Sequence, residues 1–109
     1  MNILQDIKLG VGVPVDSDAF DSELLMHANA TAGFINQLGV TEFDGLVIRE
    51  ETEWPTITSP LIDSLVKAYL MMTVKSVFDP TASATIRDHI ADYMHEIEYR
   101  ILVETEGAT

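Results

Sequence analysis

The chain has no cysteine, so neither disulfides nor thiolate metal sites are open to it, and the fold must hold without covalent staples. Basic residues are scarce: six Lys and Arg stand against eighteen Asp and Glu, a formal charge of -12. That balance argues against binding nucleic acid by neutralising phosphates, which needs a surplus of Lys and Arg on one face. An acidic surface can still face DNA, by repelling it. Long apolar runs are missing too. Stretches such as Tyr69 to Met72 fall far short of the roughly twenty residues needed to cross a bilayer. No basic-then-apolar leader opens the sequence, so the chain is expected to be made in the cytosol, to stay soluble and to have no membrane partner.

The sequence is also poor in catalytic signatures. No glycine-flanked serine elbow occurs. Gly10-Val11-Gly12 lacks the third glycine and the preceding strand of a dinucleotide loop, and no Gly-Lys-Ser/Thr is present. With eighteen acids, paired carboxylates arise anywhere and discriminate nothing. His27, His89 and His95 raise the question of a metal, and His89, Asp92, His95 and Glu96 have helical i,i+3 and i,i+4 spacings. A helix this acidic produces such pairs by chance, and a solvated face is the better reading. The expectation is no enzyme, no metal and no cofactor.

What is present is helical. At 109 residues the chain fits one domain with one modest core. Its hydrophobic fraction of 47% is high for so charged a protein, which implies apolar surface buried between chains. Asn2 can cap a short helix over residues 2–9 with Ile3, Leu4 and Ile7 on one face, ended by Gly10, and a flexible connector leads to Pro14. Asp16, Ser17 and Asp18 offer caps for a helix over 18–39 that sets Phe20, Leu24, Ala28, Thr31, Ile35 and Leu38 on one face and stops at Gly39. Small residues from Ala28 to Gly33 would let another helix approach closely, most simply within the same chain.

From 40 to 58 the periodicity disappears, and this segment is expected to be an acidic loop or a small hairpin turning at Asp44-Gly45. It carries Glu42, Asp44, Glu50, Glu51 and Glu53 against the single Arg49, and ends at the only tryptophan, Trp54. A lid over the bundle and an exposed anchor are both open to that ring. Ser59-Pro60 then marks a helix start, and the helix over 59–79 is apolar over so wide an arc that it should be central. Leu61, Leu65, Tyr69, Met72 and Phe78 fall near one stripe; Ile62, Val66, Leu70, Thr73 and Val77 form another. Asp79-Pro80 closes it. The last helix, over 81–104 and capped by Thr81 or Ser83, should turn Ile86, Ile90, Tyr93, Met94, Ile97 and Ile101 inward and Arg87, Asp88, Asp92, Glu96 and Glu98 outward. Residues 105–109 should be a flexible tail. The fold class is therefore all-α: a small bundle of three main helices plus a short N-terminal one.

This order resembles the head-to-tail connector (adaptor, or head-completion) proteins of long-tailed bacteriophages. The likeness is clearest in Pro60-Leu61-Ile62 to Tyr69, in Val74-Lys75-Ser76-Val77-Phe78-Asp79-Pro80, and in the hairpin closing with Ile97-Glu98-Tyr99-Arg100-Ile101. The resemblance implies a virion protein that forms a ring, usually of twelve copies, beneath the portal and continues the DNA channel toward the tail. Its partners would be sister copies, the portal, and a stopper or tail-completion protein, with genomic DNA passing through unbound. Carried onto this chain, the portal-docking end would be Tyr99, Arg100, Ile101, Leu102, Val103, Glu104 and Thr105 with the residues after them. The loop toward the channel or the stopper would be Glu42, Phe43, Asp44, Arg49, Glu50, Glu51, Glu53 and Trp54. Ile3, Leu4 and Ile7 have no counterpart in the pattern and are assigned to packing between subunits. The competing reading is a small acidic regulatory or inhibitory protein that mimics the charge of DNA in a basic cleft. Such mimics gather charge on one face, whereas here it is spread over a loop and the last helix.

Overall fold

The computed structural model describes residues 2–78 and 84–107, where it forms the helices α1 (Ile3–Val11), α2 (Asp21–Gln37), α3 (Pro60–Phe78) and α4 (Ala84–Gly107), with one 3-10 turn at Thr41–Phe43. No strand occurs among the described residues. The all-α expectation holds, and of the two forms open to 40–58 the chain adopts the loop. Asp79, Pro80, Thr81 and Ser83, the expected turn and caps, lie outside the described residues, as do Ala108, Thr109 and the side chains of Ile86 and Arg87.

Helix α1 starts as expected. The Asn2 side chain accepts from the Gln5 amide at 2.9 Å while the Gln5 side chain accepts from the Asn2 amide at 3.1 Å, a reciprocal capping box. Its end differs from expectation. The helix runs through Gly10 to Val11 and stops at Gly12, whose φ of 82° is left-handed. A Cβ at Gly10 would meet the terminal methyl of Met71, the movable end of a flexible side chain, where α1 sits close on α3.

Helix α2 begins at Asp21, later than Asp16, Ser17 and Asp18 suggested, with no side-chain cap on its N-terminus. The reason lies in α1. Lys8, only 5% exposed, donates to the carbonyls of Val15 at 3.3 Å and Ser17 at 2.7 Å and pairs with Asp21 at 2.7 Å. All three ammonium donors are thereby used, which is what allows a lysine to be buried. The linker is held against α1 in doing so, and Phe20, not one of the candidate caps, stands at the helix N-terminus. The inner face of α2 buries Leu24, Ala28, Thr31, Ala32 and Ile35. Phe20 lies outside it, half exposed, with its ring edge-on to Phe78 at 5.3 Å. Gly39, at φ 104°, ends the segment as expected.

Helix α3 opens where Ser59-Pro60 predicts. The Ser59 hydroxyl accepts from the Ile62 amide at 3.3 Å, and proline fills the first position, where a missing donor costs nothing. It buries Ile62, Val66, Tyr69, Leu70 and Val74 and packs against each of the other three helices, so it is the central element. Leu61 and Val77 nevertheless stay exposed, because they lie near the helix ends.

Among the described residues, helix α4 makes its helix–helix contacts with α3. Ile97 and Ile101 are buried and Ile90 and Met94 half-buried, but Tyr93, expected inside, is exposed. The helix also outruns its expected end. Thr105, Glu106 and Gly107, assigned to a flexible tail, are helical, and the Thr105 hydroxyl donates to Leu38 at 3.0 Å. That bond ties the last turn to the exit of α2. At 1.5 Å per residue, 24 residues make about 36 Å of helix against about 28 Å for the 19 of α3.

Candidate functional site: the acidic loop and the end of the last helix

The loop after α2 has no repeating backbone bonds, yet it is pinned throughout. Val40, Phe43 and Ile48 are buried in the common core. Asn29, from the middle of α2, accepts from the Ile48 amide at 2.8 Å and donates to the Ile48 carbonyl at 3.0 Å, serving as a surrogate strand partner. Farther on, the Ile3 amide donates to the Thr52 carbonyl at 3.0 Å and the Asn2 side chain to the Glu50 carbonyl at 3.0 Å. The Trp54 indole N–H donates to Asp6 at 2.7 Å, and the Lys67 ammonium sits 5.7 Å from the ring centroid. Of the two roles open to Trp54, the structure gives the packed lid.

These anchors decide which loop residues face outward. Glu42, Asp44, Arg49, Glu50, Glu51 and Glu53 are all exposed, while Phe43 is 2% exposed and belongs to the core. The result is a set of exposed acidic side chains on a backbone bonded to α1 and α2. Gly45, at φ 69°, provides the turn that Asp44-Gly45 suggested.

The end of α4 splits in the same way. Tyr99 is 64% exposed, and Leu102 and Val103 are exposed beside it at helical spacing, so three apolar side chains form one outward patch. Arg100 is outward and pairs with Glu96 at 2.9 Å. Ile101 is fully buried and Thr105 is bonded to Leu38, so these two hold the helix down. Glu104 is intermediate. Ile3, Leu4 and Ile7, assigned to packing between subunits, lie at 0%, 3% and 0% exposure in the protomer's own core. The correction is physical: a two-turn helix cannot stand alone, and its apolar face is taken up by α2 and α3. Leu9 is the apolar residue of α1 left outside.

Sequence reasoning missed three residues that shape the site. Asn29 carries the loop, and the available signal was a polar residue in a helix interior, where it lacks intrinsic favour. Lys8 fixes the linker. Glu98, expected to be outward, instead accepts from the Tyr69 hydroxyl at 2.7 Å. Burial and that bond to a carboxylate push the Tyr69 phenol well above its ordinary value of 10.0. The pair ties α3 to α4 at the floor of a shallow groove lined by Phe34, Gln37 and Leu38. His89, Asp92, His95 and Glu96 are exposed, and among the described residues no group of three or more His, Asp or Glu could hold a metal ion. No helix among them is long and apolar enough to cross a membrane.

The geometry thus offers surfaces: rigid acidic edges, an apolar patch at one helix end, and shallow grooves. A family model described as phage connector protein matches residues 3–108. No curated protein and no solved structure gives a significant match.

Proposed function

Since the chain belongs to the phage connector protein family, we propose that it forms a ring beneath the portal, continuing the DNA channel and giving the stopper or tail a platform. The observation that carries this reading is the loop: six exposed charged residues, five of them acidic, on a backbone bonded to α1 and α2. A conducting wall must keep its shape and avoid tight phosphate contacts. Fixed carboxylates do both, because DNA is repelled from them and slides. The mechanism is assembly without covalent chemistry. Tyr99, Leu102 and Val103 dock on the portal, where burying exposed apolar surface drives association. Glu42, Asp44, Glu50, Glu51 and Glu53 face the lumen or the ring below.

The test is electron microscopy of the protein mixed with its portal, with Leu102→Asp and Val103→Asp as variants. Both side chains are exposed, so helicity by circular dichroism should not change. Rings on the portal for the parent chain and none for the variants are expected. Undiminished portal rings with both variants would remove the docking assignment. A parent chain that never joins the portal would remove the connector role.

A further inference from the structure

The acidic loop is held from two sides, and the boundary between them falls at Ile48. Before it, Val40, Phe43 and Ile48 are buried in the core, and the Ile48 amide and carbonyl are both bonded to Asn29 of α2. After it, from Arg49 to Glu53, no residue is buried. The long-range bonds of this second stretch go to α1: Asn2 donates to the Glu50 carbonyl, the Ile3 amide to the Thr52 carbonyl, and the Trp54 indole to Asp6. Trp54 also lies under Lys67 of α3. Glu50, Glu51 and Glu53 thus sit on the part held by α1, whereas Glu42 and Asp44 sit on the part held by α2 and the core. Helix α1 is fastened at a second point. Each bond of the buried Lys8 ammonium goes to the segment leading from α1 into α2, at Val15, Ser17 and Asp21, and none goes to the loop.

We propose that α1 is a releasable strap on the acidic loop, with Lys8 as its catch. When α1 lifts from α2 and α3, residues 49–54 leave their positions with it and carry Glu50, Glu51 and Glu53 along, while Glu42, Asp44 and Ile48 stay. The acidic surface thereby has two settings. The inference rests on the reading that these carboxylates are what the protein presents. Its physical basis is the uneven anchorage. A helix of nine residues is too short to stand alone, so α1 loses its structure once detached, and the loop stretch bonded to it loses those partners. Detachment exposes Ile3, Leu4 and Ile7, which opposes it, but it also returns the Lys8 ammonium to water, where such an ion is strongly hydrated. What stays behind keeps its own core. Leu24, Ile35, Val66 and Leu70 are buried on α2 and α3, and Ile97 and Ile101 hold α4.

Native-state hydrogen exchange on the full chain tests the strap. In the parent, the Ile7 amide and the Trp54 indole should share one opening, more frequent than the opening of the Ile48 amide. Lys8→Ala deprives Asp21 of its ion pair and two carbonyls of their donor, yet removes no bond to the loop. It should speed exchange at Ile7 and at Trp54 alike, on the order of tenfold, and cleavage by a glutamate-specific protease after Glu50, Glu51 and Glu53 by a similar factor. Exchange at Ile48 and cleavage after Glu42 should not change. Asn2→Ala, at the other end of α1, should act in the same direction, and it decides the matter if circular dichroism shows Lys8→Ala unfolded. Separate openings of Ile7 and Trp54 in the parent would overturn the strap. So would a folded variant that frees α1 but leaves 49–54 protected, that raises cleavage after Glu42 as much as after Glu50, or that changes nothing. Portal micrographs judge the connector role separately. Rings from a chain whose loop opens as one piece sink the strap and keep that role, whereas shared openings of Ile7 and Trp54 in a chain that never joins the portal keep the strap and remove the role.

Discussion

The loop over 40–58 and helix α4 invert the usual relation between regularity and anchorage. The loop has almost no regular structure, yet it buries Val40, Phe43 and Ile48 and bonds to α1 and α2. Helix α4 is the longest regular element, and Ile97 and Ile101 are the buried ones among its described side chains. The loop draws its order from tertiary contacts. Helix α4 is regular along its whole length and is held by its packing on α3 and by the bond from Thr105 to Leu38. Secondary structure is therefore a poor guide to which segment is held most firmly. Under the proposed role, a loop that presents charges to a channel would gain from being pinned, and a helix that docks on a portal would gain from leaving apolar side chains uncovered at its end.

The sharpest way to break this contrast is to cut the principal anchor of each region. Phe43→Ala removes a core aromatic and should cost about 3–5 kcal/mol, and Ile101→Ala about 2–4 kcal/mol, both read by urea denaturation. Hydrogen exchange separates them. Phe43→Ala should expose loop amides and those of α1 together, whereas Ile101→Ala should release α4 and leave the Ile48 amide protected. Loss of Ile48 protection in Ile101→Ala would show that the two regions share one cooperative unit.

A smaller effect is expected from Tyr69→Phe, which removes the bond to Glu98 and should cost about 1 kcal/mol. The phenol is held protonated in the fold above its ordinary value of 10.0, so its contribution is fully present below that pH and is lost as pH rises above it. The parent chain should therefore lose thermal stability above about pH 10, and the Tyr69→Phe variant should lose less. Parallel decline of both would dissociate the pair from α4 docking. Smallest of all is Arg100→Ala: its exposed pair with Glu96 should change stability by no more than about 0.5 kcal/mol in a thermal melt.

Several features of the fold were legible because they depend on neighbours in sequence. Ser59-Pro60 starts α3, Asn2 caps α1 and Gly39 follows α2, each through local backbone chemistry. Errors came where a distant residue intervened. Gly10 reads as a stop, yet α1 runs on over α3 to Val11, and Asp16, Ser17 and Asp18 read as caps, yet their segment is bonded through Lys8 to α1 instead. The acidic composition of the loop was plain in the sequence. Its rigidity was not, because Asn29 and Ile48 stand 19 residues apart. In the α4 end, the helical period already turned Ile101 inward, but the bond that holds Thr105 to Leu38, 67 residues away, was not legible.

The sequence by itself determined that this protein is all-helical, strongly acidic and free of covalent cross-links, since propensity, charge and cysteine content are properties of single residues and short windows. The tertiary structure decided which apolar faces are consumed inside the protomer and which remain: Ile3, Leu4 and Ile7 are spent in the core, while Met26, Phe34, Tyr99 and Leu102 are not. Burial depends on where other segments come to lie, and a stripe of apolar residues carries no mark of whether its partner belongs to the same chain or to the next.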